Sequence, residues 1–394
     1  MKKYQSVVLL LIILASAGFF RLYQLDSVPP GLHYDEGFNL RNAKETLETG
    51  QFEVFYPDNF GREGLHIWLV SLSFKIFGTQ PWSLRLVSAL IGILTVLGLY
   101  LLAKELFSQK VALISSFFLA VSFWHINFSR IGYRAILVPF ILCFCFYFLL
   151  KAIRQNRLFY FIIAGIFFGL GFYTYIAFRL AVLLLGVVSL LAIWKHWQKE
   201  KLIRWGVFFI TIILVSLPLV IYFTQNPEHF ISRSSNISVF SAENPLKVLA
   251  LSTAKSLAMF NIFGDSNWRH NYSGSPMLIW PVGILFILGI GLMVTKLYKP
   301  KQRIFLLSWF IIMLLPAILT FEGLPHALRS IGVIPVVYIF AALGLIWLFE
   351  KISSKNKKIA IIVLIFFLLY PALANYHKYF IKWANHPKVY SSFQ

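Results

Sequence analysis

Acidic residues are scarce: the 394-residue chain has 15 aspartates and glutamates against 36 lysines and arginines, and only 13% of its residues are charged. Cysteine is nearly absent, and Cys143 and Cys145 share one apolar run, so neither a disulfide framework nor a thiolate metal site can be built. What fills the chain is apolar, 59% of residues, with a mean hydropathy of +0.74. A water-soluble domain of this size must cover itself with polar groups. The composition therefore excludes a soluble enzyme and a disulfide-stapled secreted domain, and defines an all-α polytopic membrane protein. A net charge of +21 would suggest nucleic acid in a soluble protein. Here most cations fall in short segments between apolar runs, so they read as topology and no nucleic-acid partner is expected.

A bilayer core of roughly 30 Å needs about 20 apolar helical residues. Runs of that kind occupy residues 5–23, 82–103, 111–127, 134–150, 158–178, 179–194, 203–223, 277–295, 304–320, 329–349 and 359–376, which predicts about 11 transmembrane helices. Met1-Lys2-Lys3 ahead of Val7 to Phe20, with Ala15-Ser16-Ala17, resembles a cleavable leader. It is expected to stay on as the first span, because the chain behind it must itself be threaded repeatedly. Leu65 to Phe77 is too short to span and carries His66 and Lys75; its apolar residues recur at three- and four-residue steps, as in a helix lying along the membrane surface. Leaving it out of the spans puts 19 of the 36 cations on one side, with only Glu105, Glu200 and Glu350 in or beside those stretches. The positive-inside rule then predicts a cytoplasmic amino terminus, and the short loops point to a plasma (inner) membrane. One membrane domain over 1–394 is expected, with long outer loops at 24–81 and 224–276.

The first outer loop holds most of the acids. Gly31-Leu32-His33-Tyr34-Asp35-Glu36-Gly37-Phe38-Asn39 opens a helical stretch that stops at Gly50. Asp35 and Glu36 can cap that helix, yet a carboxylate pair beside a membrane costs desolvation and marks a functional site. A second cluster, Asn59-Phe60-Gly61-Arg62-Glu63-Gly64-Leu65-His66, stands at the entrance to the surface helix. Cations then recur at outer membrane depth: Arg85, Arg130 and Arg134, Arg179 after Tyr173-Thr174-Tyr175, and Arg329 in Pro325-His326-Ala327-Leu328-Arg329. Against the positive-inside bias, they read either as snorkelling or paired side chains or as an anion site of convergent guanidinium groups.

With Asp35-Glu36, Gly61 to Leu65 followed by Trp68 and Phe77-Gly78, Trp82 to Arg85 and the His326 to Arg329 loop, the sequence resembles the GT-C membrane glycosyltransferases, in the protein O-mannosyltransferase and lipid A aminoarabinose transferase lineage. The resemblance implies two juxtamembrane helices in the first outer loop, a polyprenyl-phosphate sugar donor, an acceptor hydroxyl on a glycan, lipid or protein, and an extracytoplasmic site. It implies Asp35 as the catalytic position with Glu36 beside it, and Glu63 as a second loop acid that in some relatives helps hold a divalent metal. Where many relatives have a lysine followed by prolines, this chain reads Arg62-Glu63-Gly64-Leu65. Substrate and phosphate contacts are expected from Arg62, Glu63, Arg85, Arg134, Tyr175, Arg179, His326 and Arg329, and a divalent metal from Glu63 and His66. Two rivals stand beside this reading: a transporter or flippase of an anionic lipid or solute, and a catalytically inactive assembly subunit of the same fold. The acids lie at helix ends and no inverted repeat is visible, which weighs against transport.

Overall fold

A computed structural model describes residues 3–193, 199–230, 237–295 and 297–394. Among these, seven helices are long and apolar enough to cross a membrane. They include α1 (Lys3–Leu22), α4 (Pro81–Leu106), α7 (Leu137–Gln155) and α10 (Lys199–Gln225). Two more, Pro300–Ile318 and Ile334–Ser353, precede the last, Lys357–Tyr376, which runs on as a wider turn to Trp383. An eighth crossing is a broken one. Helices α5 (Gln109–Ala120) and α6 (Phe123–Ser129) meet at a 61° bend, where the Ser122 hydroxyl accepts from His125 N–H and starts a new helix.

Among the described residues, length and composition account for seven or eight of the roughly eleven expected crossings. The remaining three of the expected runs are short apolar helices: α8 (Leu158–Gly171), the segment Ile176–Ala192 that overlaps α9 (Ala181–Ile193), and Trp280–Val294. Fourteen residues of α8 reach only about 21 Å as helix. After Gly171 the chain turns through Phe172 to Tyr175, and the glycine lets the Phe178 ring pack where a Cβ would stand 2.0 Å from it.

Of the seven long helices, Ile334–Ser353 is the most enclosed, with 83% of its apolar window buried. It lies against Trp280–Val294 at backbone contact: a Cβ at Gly289 would stand 1.9 Å from the Phe340 carbonyl oxygen, and one at Gly344 2.2 Å from that of Leu285. In lipid, where apolar burial gives helices little reason to associate, small residues that allow such approach supply the packing.

The connection after α1 folds over one end of the bundle. It contains α2 (Tyr34–Thr49), the two-residue strands β1 (Phe55–Tyr56) and β2 (Arg62–Glu63), and α3 (Leu65–Phe77). The strands pair antiparallel, Phe55 with Glu63 and Tyr56 with Arg62, and α3 packs on α2 and α4. A second long connection, after α10, carries the helix Pro245–Ala258.

Candidate active site

The start of α2 is built from its own side chains. His33 is the N-cap: its Nδ1 accepts from the Asp35 N–H at 3.0 Å, while Glu36 Oε2 accepts from the His33 N–H at 3.2 Å. That reciprocal pairing satisfies donors a helix start leaves orphaned. Glu36 is fully buried and further accepts from Arg85 at 2.9 Å on both oxygens and from Gly132 N–H at 2.8 Å. Arg85 spends its remaining nitrogen contacts on the carbonyls of Pro29 and Gly31, both at 2.7 Å. Glu36 and Arg85 thus form one closed buried pair that seals the loop to α4, which leaves neither a face for an acceptor or a phosphate.

Asp35 points the other way, with its side chain 40% exposed. Asn59 donates to Oδ1 at 2.7 Å, and the Arg269 guanidinium reaches Oδ2 at 3.5 Å from the second long connection. Arg269 also lies 2.8 Å from His33 Nε2 and donates to the Tyr133 hydroxyl at 3.1 Å. Burial, and then this cation, lower the His33 pKa to about 4, so the ring stays neutral. Burial pushes the Tyr133 phenol up, keeping it a protonated hydroxyl.

Around Asp35 lies a small cleft of about 60 Å³ whose other polar walls are Asn39, Asn59, Arg62, Tyr133 and Arg134. Arg62 donates to Asn39 Oδ1 at 2.8 Å and to Asn42 Oδ1 at 2.5 Å. Its pKa falls to about 10 through burial and the neighbouring Arg134, and it remains charged at neutral pH. Glu63 is buried between two cations, 3.0 Å from Arg134 and 3.8 Å from Arg179. Tyr175 lies under the Arg134 guanidinium at 5.5 Å and forms a wall of the cleft. The same Tyr175 borders a larger apolar cavity of about 390 Å³, walled by Ile176, Leu180, Phe230, Phe240 and Leu319, in which the charged groups are Arg179 and Arg329. Arg179 donates to the Phe230 carbonyl at 2.9 Å; Arg329 is tied to Thr320 and to the Glu322 carbonyl and carboxylate at 2.7–3.1 Å.

The structure brings together Asp35, Arg62, Arg134 and Tyr175 at the cleft, and Arg179 and Arg329 at the adjoining cavity. It removes Glu36 and Arg85 from both. Arg130 is likewise committed, to the carbonyls of Phe20, Gln24 and Val28. Of the expected metal pair, Glu63 pairs with Arg134 and Arg179, while His66 is buried with Nε2 3.1 Å from Ser88 of α4. His326 stands away from the cleft lining, beside Asp265 and His270, the one group of three metal-capable donors among the described residues. Asn59, Tyr133 and Arg269 escaped the sequence reading. The only signal for Arg269 was its place in Trp268-Arg269-His270 within a long loop, and nothing in the spacing said that this loop folds back over Asp35.

Residues 65–222 match the family model described as dolichyl-phosphate-mannose-protein mannosyltransferase. A candidate mannosyltransferase of Bacillus subtilis (strain 168), YkcB, is 32% identical over 184 residues, 44% of this chain and 24% of that one. The chain thus spans about a quarter of the length of this relative. Among solved structures, the archaeal oligosaccharyltransferase AglB from Archaeoglobus fulgidus, in complex with an inhibitory peptide and a dolichol-phosphate, matches with TM-score 0.63 and 17% identity, covering 100% of this chain and 56% of that one. ArnT from Cupriavidus metallidurans bound to undecaprenyl phosphate matches with TM-score 0.61 and 16% identity, covering 99% of this chain and 75% of that one. The chain shares the fold of these GT-C membrane glycosyltransferases, and the resemblance carried by its motifs holds at the level of fold.

Proposed function

We propose that the chain is a glycosyltransferase that moves a sugar from a polyprenyl-phosphate donor to an acceptor hydroxyl, on the extracytoplasmic face and with inversion at the sugar carbon. One observation carries the reading: a part-exposed carboxylate, Asp35, opens onto a cationic cleft that meets, at Tyr175, an apolar cavity holding two arginines. A prenyl chain suits the apolar walls, and its phosphate suits Arg134, Arg179 and Arg329 near the junction. The sugar then lies toward Asp35.

Asp35 takes the proton of the acceptor hydroxyl as its oxygen attacks the anomeric carbon. The bond from that carbon to the phosphate oxygen breaks, and the prenyl phosphate leaves with the electron pair. Because phosphate departs as an anion, cations rather than a general acid lower the barrier. Asn59 and Arg269 hold the two carboxylate oxygens in place; neutral Tyr133 and His33 close the side of the cleft behind it. A single carboxylate facing the acceptor suits one displacement, hence inversion.

Purified protein assayed with polyprenyl-phosphate sugars tests this. Asp35→Asn, which preserves shape and removes the base, is expected to lower turnover by about 10²–10⁴-fold. Turnover equal to that of the parent would remove Asp35 from the reaction.

A further inference from the structure

The loop that supplies Arg269 also holds donors for which the transfer reaction has no use. Asp265 and His270 are buried, and His326, from the connection ahead of Ile334–Ser353, lies half-buried beside them. One carboxylate oxygen and one ring nitrogen from each histidine all lie within 4.8 Å of one another. His270 Nδ1 is 2.9 Å from Asp265 Oδ2, and the two imidazole rings stand 5.0 Å apart at 40°.

The carboxylate is fixed by the backbone around it. Its Oδ1 accepts from Asn267 N–H and its Oδ2 from Ala327 N–H, both at 2.8 Å. Main-chain bonds from Gly264 to Gly274 and from Gly274 to Asp265 close the loop on itself, and Gly264 is required because a Cβ there would lie 2.1 Å from the Ser275 carbonyl oxygen. A ligand arriving here therefore finds its oxygen donor already placed, and little chain entropy is lost on binding.

A hydrogen-bonded pair accounts for Asp265 and one imidazole. The second imidazole comes from a segment more than fifty residues away in sequence, where its Nδ1 accepts from the Arg329 N–H at 3.4 Å, and it converges on the same point. A dication held by both rings and the carboxylate accounts for that convergence. We propose that Asp265, His270 and His326 form a zinc-class site. Two imidazole nitrogens and one carboxylate oxygen suit zinc, whereas magnesium and calcium favour all-oxygen shells. With ligand bonds of about 2.0–2.2 Å, neighbouring donors of a tetrahedral site stand roughly 3.4 Å apart, so the Asp265–His270 contact opens by a few tenths of an ångström. Water completes the shell on the half-buried His326 side. The ion ties the Asp265–His270 loop to the His326–Arg329 loop. Only the corollary, that it steadies Arg269 against Asp35 and Arg329 in the cavity, rests on the transferase reading.

Full-length protein in lipid nanodiscs, loaded with zinc chloride and desalted, is expected to retain about one zinc per chain by elemental analysis. The double variant His270→Ala/His326→Ala is expected to fall to background, while Asp35→Asn keeps its zinc, so the metal site is read independently of turnover. His326→Cys, which replaces one ligand with another, is expected to retain zinc. Cobalt loading of the parent is expected to give the intense visible absorption of a tetrahedral site, a readout that stands if the double variant fails to fold. A parent that retains no zinc and shows no such cobalt spectrum, or a folded double variant that retains as much zinc as the parent, would overturn the proposal.

Discussion

His33 is held neutral by its surroundings, and the consequence is measurable. Its folded pKa lies at about 4 against an ordinary 6.5, through burial first and the Arg269 guanidinium second. Between these values the unfolded chain binds more proton than the folded one, so stability rises with pH there and is lost as pH falls from about 6.5 toward 4. The melting midpoint of detergent-solubilised protein is expected to drop between pH 7 and pH 5, and His33→Gln is expected to flatten that dependence. Identical pH slopes in parent and variant would show that His33 does not carry it. At this scale the sequence showed which residues are costly where they stand, because charge near a membrane demands a partner. It did not show the partners: Glu36 and Asp35 are adjacent in sequence, yet one is consumed by Arg85 and Gly132 and the other faces the cleft.

Elements were legible where hydropathy alone decides them and obscure where packing interrupts a run. The run expected at 158–178 is interrupted after Gly171, whose missing side chain leaves room for the Phe178 ring. That break lets Tyr175 and Arg179 face the site instead of lipid, so the least predictable element is also one the cleft depends on. The opposite case is the pair of uninterrupted helices Trp280–Val294 and Ile334–Ser353, where glycines set the distance. Gly289→Val and Gly344→Val would drive side chains into the Phe340 and Leu285 carbonyls and force the helices apart. Overpacking of this kind costs about 1–3 kcal/mol or more. Both variants are expected to lower the thermal midpoint, whereas Gly186→Ala, with open space around its Cβ, is expected to leave it near the parent value. Equal midpoints in all three would show that the close crossing is not what holds these helices.

For the whole molecule, function depends on which side of the membrane the cleft faces, and charge bias gives the argument. Lys351, Lys355, Lys357 and Lys358 cluster at the end of the bundle that also carries Lys104, Lys110, Arg154 and Arg157, while most carboxylates lie in the connection that holds α2 and α3. By the positive-inside rule the lysine-rich end is expected to be cytoplasmic, which under the proposed reading turns Asp35 outward. The two native cysteines are fully buried, so an introduced thiol reports nearly alone. Glu48→Cys, on the exposed face of α2, is expected to react in intact cells with a membrane-impermeant maleimide. Lys357→Cys, at the opposite end of the bundle, is expected to react only after the cells are permeabilised. The reverse pattern would place Asp35 on the cytoplasmic side. It would then remove the donor geometry proposed for the cleft, while leaving the fold, the Glu36–Arg85 seal and the zinc-class site as they stand.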